Sequence, residues 1–146
     1  MDHRDFLLLA EQLIKGKTEA EWRSAVSRSY YAAFHEARIL LGNCGFAVPY
    51  GDRAHKDLSM RLMNAGQADV KRAGQDLDTL RTQRNEADYQ LRGRLIQKTG
   101  RANVQKASEI IRTLESVAAD TVAKTQITTA MKTYERDVLK EVTWQP

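Results

Sequence analysis

The spacing of the apolar residues is the strongest constraint on the fold of this 146-residue chain. Apolar side chains recur at intervals of three and four residues, which gathers them on one face of an α-helix, and no segment alternates apolar with polar residues as a strand does. The predicted helices cover 6–15, 18–41, 55–64, a segment between Gly74 and a stop near Gly100, and a segment from Arg101 onward. The sequence therefore predicts an all-α bundle of four or five helices.

The second of these helices carries the clearest local signals. Thr18 and Glu21 have the spacing of a capping box, and Gly42 is a natural stop. Its expected core face consists of Trp22, Ala25, Val26, Tyr30, Ala33, Ala37 and Leu40. We interpret its polar side, formed by Arg28, Tyr31, His35 and Arg38, as a solvated face rather than a binding groove.

The length is that of one domain, and no linker rich in proline, glycine or serine divides the chain. We assign residues 1–123 to the main helical domain and residues 124–146 to a C-terminal helical extension or tail. The helical pattern of the extension continues through Val138.

The positive charge is concentrated in one window. The net charge of the chain is +4, and residues 81–106 contain seven lysines and arginines against two acidic residues, Glu86 and Asp88. A local basic surface attracts polyanions such as nucleic acids or nucleotide phosphates. A solvated helix end with the same charges is the alternative interpretation.

Two charged residues interrupt the apolar face of the helix within this window. At the helical period, Arg84 and Asp88 lie among the side chains of Leu77, Leu80, Leu91 and Leu95. A buried charge without a partner costs several kcal/mol or more. Arg84 and Asp88 must therefore pair with each other, pair across an interface, or line a hydrated pocket.

Several classes of protein are excluded by what the sequence lacks. The single cysteine, Cys44, cannot form an internal disulfide, and the N-terminal sequence MDHRDF is not a secretory signal, so we expect a cytoplasmic protein. No apolar run approaches the roughly 20 residues that span a bilayer, so no membrane partner is expected. The scattered histidines and the absence of a glycine-rich phosphate loop predict neither a metal nor another cofactor.

Two stretches resemble a known family. RSAVSRSYYAAFHEARILL, residues 23–41, and LRTQRNEADYQL, residues 80–91, are similar to the two defining helices of HEPN-domain proteins of prokaryotic toxin–antitoxin and antiviral systems. The resemblance covers roughly residues 5–120 and includes His55. It implies a bundle of four or five helices that pairs as a two-fold homodimer, with the arginine-motif helices of both subunits facing a shared cleft.

The resemblance also implies a chemistry. Active members of the family are metal-independent ribonucleases with an arginine, four to six variable residues and a histidine, and many are encoded beside a nucleotidyltransferase antitoxin. Five residues after Arg84 this chain has Tyr89, and tyrosine as a residue type, with a reference pKa near 10, is a poor base at pH 7. Asp88 is a possible substitute base, although an ionised carboxylate would repel the scissile phosphate.

The resulting candidate residues fall into two groups. Catalytic candidates are Arg84, Asp88 and Tyr89, and candidate RNA or phosphate contacts are Arg81, Asn85, Arg92, Arg94 and His55. Each has a structural alternative: Arg84 and Asp88 as an ion pair that sets the dimer register, and His55 as a cap or packing group. Three functions remain open: an RNA- or nucleotide-binding HEPN protein with weak or no ribonuclease activity, an inert dimeric module that binds a nucleotidyltransferase or other defence protein, and an active endoribonuclease toxin.

Overall fold

The structure is a computed structural model that describes all 146 residues and contains α-helices without any β-strand. The helices are α1 (Arg4–Leu13), α2 (Glu19–Asn43), α3 (Asp52–Met63), α4 (Ala68–Tyr89), α5 (Gln97–Ala119) and α6 (Thr121–Tyr134), and a π-helical turn, Glu135–Leu139, follows α6. The predicted all-α class is confirmed. None of these helices has both the length and the hydropathy needed to cross a membrane.

The central helix is α2, which packs against α1, α4 and α5, while α3 packs mainly on α4. The Thr18–Glu21 capping box is present at its N-terminus as predicted. Of its predicted core face, all residues except Trp22 are buried. A main cluster of 24 buried hydrophobic residues fills the bundle, and a smaller cluster joins α1, α2 and α5.

The prediction that one helix extends past Leu95 to Gly100 is wrong. Helix α4 ends at Tyr89, and Leu91 is 76% exposed. Arg23 of α2 stabilises this end, because its guanidinium donates hydrogen bonds to the carbonyl oxygens of Ala87 at 2.9 Å and Gly93 at 2.5 Å. These bonds satisfy C-terminal carbonyls that a longer helix would have bonded internally.

The glycines were also misread as breaks. Gly74 lies inside α4 and Gly100 inside α5. A Cβ at position 74 would lie 2.9 Å from the backbone oxygen of Ser59, and one at position 100 would lie 2.6 Å from Ile14 Cδ1. Both glycines allow two helices to approach closely, and a helix tolerates a glycine at a cost of about 1 kcal/mol.

The C-terminal residues pack on the rest of the bundle. Ile127 and Met131 of α6 belong to the main core, and the boundary expected after residue 123 falls within this helix. Ala118 and Val122 continue the apolar spacing of the segment from Arg101 onward, but both are exposed, because α5 ends at Ala119 and the extended backbone of Asp120 separates it from α6.

The α-helix ends at Tyr134, the π-helical turn carries the chain through Val138 to Leu139, and Lys140 then adopts a left-handed conformation with φ 57°. The tail folds back on the segment after α2, where the Trp144 indole donates to the carbonyl of Cys44 at 2.9 Å and the Gln145 N–H to that of Gly45 at 2.9 Å.

Candidate functional site

The main feature of the site is a buried arginine without a counterion. Arg84 is 9% exposed, and its guanidinium carbon lies 5.2 Å from the ring centre of Tyr30 and 5.4 Å from that of Tyr31. Its Nη1 donates a hydrogen bond of 3.2 Å to the Tyr31 hydroxyl, and its buried Nε has no partner. Aromatic faces stabilise a guanidinium by about 0.5–2 kcal/mol, which does not offset the cost of burying a charge.

Asp88 does not neutralise Arg84. Its side chain is exposed at the last turn of α4 and accepts a hydrogen bond of 3.1 Å from the Ser27 hydroxyl. The first of the three predicted arrangements, an ion pair within one chain, is therefore wrong. The physical reason is the early end of α4, which leaves Asp88 at a helix terminus rather than in the middle of an apolar stripe.

His55 contacts the same two tyrosines. It sits in the first turn of α3, its ring centre is 4.5 Å from that of Phe34, and its Nδ1 is 2.6 Å from the Tyr30 hydroxyl. The structure thus brings His55 and Arg84 to Tyr30, although 29 residues separate them in the chain.

The hydrogen bond indicates how the imidazole is protonated. Tyr30 is completely buried, and its hydroxyl forms a hydrogen bond with His55 Nδ1. Burial raises the pKa of this phenol above its ordinary value of 10.0, so the hydroxyl keeps its proton. Because a buried hydroxyl needs an acceptor, Tyr30 donates to Nδ1 and the proton of the neutral imidazole is on Nε2. His55 therefore offers a hydrogen-bond donor to the site rather than a free base.

Partial burial lowers the pKa of His55 below its ordinary value of 6.5, and the positive charge of Arg84 lowers it further. Since the unfolded chain then binds a proton more readily than the folded one, we expect stability to fall as the pH drops below about 6.5. Urea unfolding at several pH values between 8 and 5 measures this loss. The variant His55→Phe should lose less stability over that range than the wild type, and an identical loss in both proteins would contradict the assignment. The remaining loss is expected from His35, whose pKa burial also lowers.

The other predicted contacts are not part of this cluster. Arg81 is paired with Asp78 on its own helix, with 2.9 Å between Nη2 and Oδ1. Asn85 and Tyr89 are exposed, the latter to 75%, and Arg92 and Arg94 are exposed in the connector between α4 and α5. Arg94 lines a separate polar cavity of about 170 Å³ that also contains Gln83, Gln90, Thr99 and Asn103.

Arg28 and Tyr31, which the sequence places on the polar side of α2, also belong to this cluster. Arg28 is half-buried, with its guanidinium carbon 5.1 Å from the ring centre of Tyr31 and 5.4 Å from that of Phe6. The signal available in the sequence was the spacing of residues 28, 31 and 35, which places a cation between aromatic rings on one face of α2. We interpreted that face as solvated because α1 and α4, which enclose it, are distant in sequence.

Comparison of the chain with protein-family models, curated proteins and solved structures finds no match. The chemistry of the site follows from its side chains. A guanidinium that has no carboxylate partner binds oxyanions, and the Tyr31 hydroxyl, which accepts a hydrogen bond from Arg84, can donate its own proton to the same anion. No group of three or more His, Cys, Asp or Glu side chains is arranged to hold a metal ion. The arrangement is suited to binding a phosphate.

Proposed function

We propose that this protein is a HEPN-type homodimer of a toxin–antitoxin or antiviral defence system that binds RNA or nucleotide phosphates and has weak or no ribonuclease activity of its own. The observation that carries the proposal is the buried guanidinium of Arg84, which has an unpartnered Nε and no acidic partner. A buried guanidinium without an acidic partner lowers the stability of the fold unless an anion binds and neutralises it. The exposed arginines of the basic window, residues 81–106, favour a polyanion as that ligand.

Binding without efficient cleavage is supported by the absence of a suitable base. Tyr89 occupies the position at which the nuclease members of the family have histidine, and it is 75% exposed at the end of α4. The remaining candidate base is His55, and its Nδ1 accepts the hydrogen bond of Tyr30. RNA cleavage through the 2′-hydroxyl needs a group near neutrality that takes a proton, and neither side chain is free to do so.

A second candidate function is an inert interaction module that binds a nucleotidyltransferase or another defence protein. It is favoured by the end of α4, where Tyr89 and Leu91 are 75% and 76% exposed. Exposed aromatic and apolar side chains of this kind are common at the centre of protein interfaces. The homodimer proposed above would use the same helix end, so the two functions share a surface and differ in whether RNA binds.

The test is RNA binding and cleavage by the purified protein. We expect the wild type to bind a mixed-sequence single-stranded RNA with an affinity that falls steeply between 50 and 200 mM salt, to leave it uncut or nearly so, and to behave as a dimer in light scattering. Tyr89→His is expected to gain cleavage activity, because it supplies the missing imidazole five residues after Arg84. Tyr89→Phe is the matched control and should remain inactive.

Three outcomes would contradict the proposal. A wild-type protein that binds no RNA at low salt would favour the interaction module. Robust cleavage that His55→Ala abolishes would mean that His55 is a working base. A monomer at micromolar concentration would remove the homodimer from the proposal.

A further inference from the structure

A second arginine stands beside the same tyrosine as Arg84. The guanidinium carbons of Arg84 and Arg28 lie 5.4 Å and 5.1 Å from the ring centre of Tyr31. Arg84 reaches the ring from α4, whereas Arg28 belongs to α2 and extends toward Phe6 of α1. Two cations therefore converge on one aromatic side chain from two different helices.

Arg28 also has no acidic partner. Its Nη2 donates a hydrogen bond of 3.2 Å to the hydroxyl of Ser27, which in turn donates to Asp88. Asp88 is exposed and is linked to Arg28 only through this hydroxyl, so it does not neutralise the guanidinium directly. Most other arginines near this part of the molecule are occupied: Arg81 pairs with Asp78, and Arg38 donates to the carbonyl of Val48.

The surface next to Arg28 is open and aromatic. The rings of Phe6 and His35 stack with their centres 5.9 Å apart and their planes 15° apart. Both line an open cavity of about 430 Å³, which Ile39, the guanidinium of Arg4 and the carboxylate of Asp2 also line. Aromatic surfaces beside cations are the arrangement with which proteins hold the bases and phosphates of a single strand.

We infer that Arg28 is a second phosphate contact, so that Arg84 and Arg28 bind two neighbouring phosphates of one RNA strand beside Tyr31. This inference rests on the proposed function and adds a residue and the path of the strand to it. The strand runs from Arg84 past Tyr31 to Arg28 and continues toward Phe6 and His35. An isolated phosphate would need only Arg84, whereas two cations flanking one ring match a ligand with successive charges.

The test is the salt dependence of binding to a fluorescent eight-residue oligouridylate, measured by anisotropy between 50 and 200 mM salt. Each phosphate contact with a single strand contributes about 0.7 to the slope of log affinity against log salt. Arg28→Gln is expected to reduce the slope by about 0.7 and to weaken binding about tenfold at low salt. Arg28→Lys, which keeps the charge, should restore most of the slope.

Lys71→Gln is the matched control, because Lys71 is exposed in the first turns of α4, about 20 Å from Arg84 along the helix axis. Its slope and affinity should equal those of the wild type, and all variants should have the wild-type melting temperature. A wild-type slope in Arg28→Gln, or an equal loss in Lys71→Gln, would overturn the role of Arg28 while leaving RNA binding intact. A wild type that binds no oligouridylate would overturn the proposed function itself.

Discussion

Replacing Glu135 with alanine is expected to lower the free energy of unfolding by about 3–5 kcal/mol. Glu135 is 0% exposed and pairs with Arg61, whose side chain is 2% exposed, through hydrogen bonds of 3.2 and 3.0 Å from Nε and Nη2. Its second oxygen accepts hydrogen bonds from the backbone N–H groups of Thr143 and Trp144. The substitution leaves a buried guanidinium without a counterion and releases the C-terminal tail.

Urea unfolding followed by circular dichroism measures this effect. The control is Asp137→Ala, which removes a carboxylate from the same π-helical turn, where it is exposed and paired only with Arg136. That variant should unfold at the wild-type urea concentration. A double variant, Arg61→Met with Glu135→Leu, should recover the part of the loss that comes from the unpaired guanidinium, whereas the hydrogen bonds from Thr143 and Trp144 stay lost. A loss below about 1 kcal/mol for Glu135→Ala would mean that water reaches Arg61.

Replacing Arg84 with methionine is expected to leave the free energy of unfolding unchanged or to raise it, and to weaken RNA binding strongly. Methionine fills a similar volume without a charge, and exchanging an incompletely paired buried charge for an apolar side chain is neutral or stabilising by up to a few kcal/mol. Hydrogen bonds to a charged group contribute about 1.5–3 kcal/mol, so the loss of the phosphate contact should weaken RNA binding roughly 10- to 100-fold.

Urea unfolding and anisotropy with the same preparation separate the two effects. Arg81→Met is the matched control, since Arg81 lies one turn earlier on α4 and is already paired with Asp78. It should bind RNA with nearly wild-type affinity. A destabilisation of more than about 2 kcal/mol in Arg84→Met would identify Arg84 as a structural residue. Unchanged RNA binding in Arg84→Met would mean that Arg84 does not contact the RNA.

The features that the sequence predicted correctly are local ones. The capping box at Thr18 and Glu21 involves residues within one turn, and the core face of α2 follows from a repeat of three and four residues. The unusual position of Arg84 was also visible, because its neighbours in the helical repeat, Leu77 and Leu80, are apolar. The helical repeat does not show which side chains of other helices contact Arg84.

The wrong predictions concern the end of α4, where a residue distant in the sequence stabilises the local structure. The apolar stripe was extended to Leu95, but Arg23 binds the carbonyl groups after Glu86 and helps to end α4 at Tyr89. Asp88 was therefore placed in the stripe when it is exposed.

The sequence by itself determined the helical class, the capping box of α2 and the core face of that helix, because these depend on interactions between residues a few positions apart. Only the tertiary structure decided that Tyr30 and Tyr31 lie against Arg84, that Tyr30 also bonds to His55, and that Glu135 pairs with Arg61 over 74 positions. Helix propensity and periodicity do not encode which helices become neighbours. That choice comes from the packing of the whole core, which brings together charges whose partners no local pattern can identify.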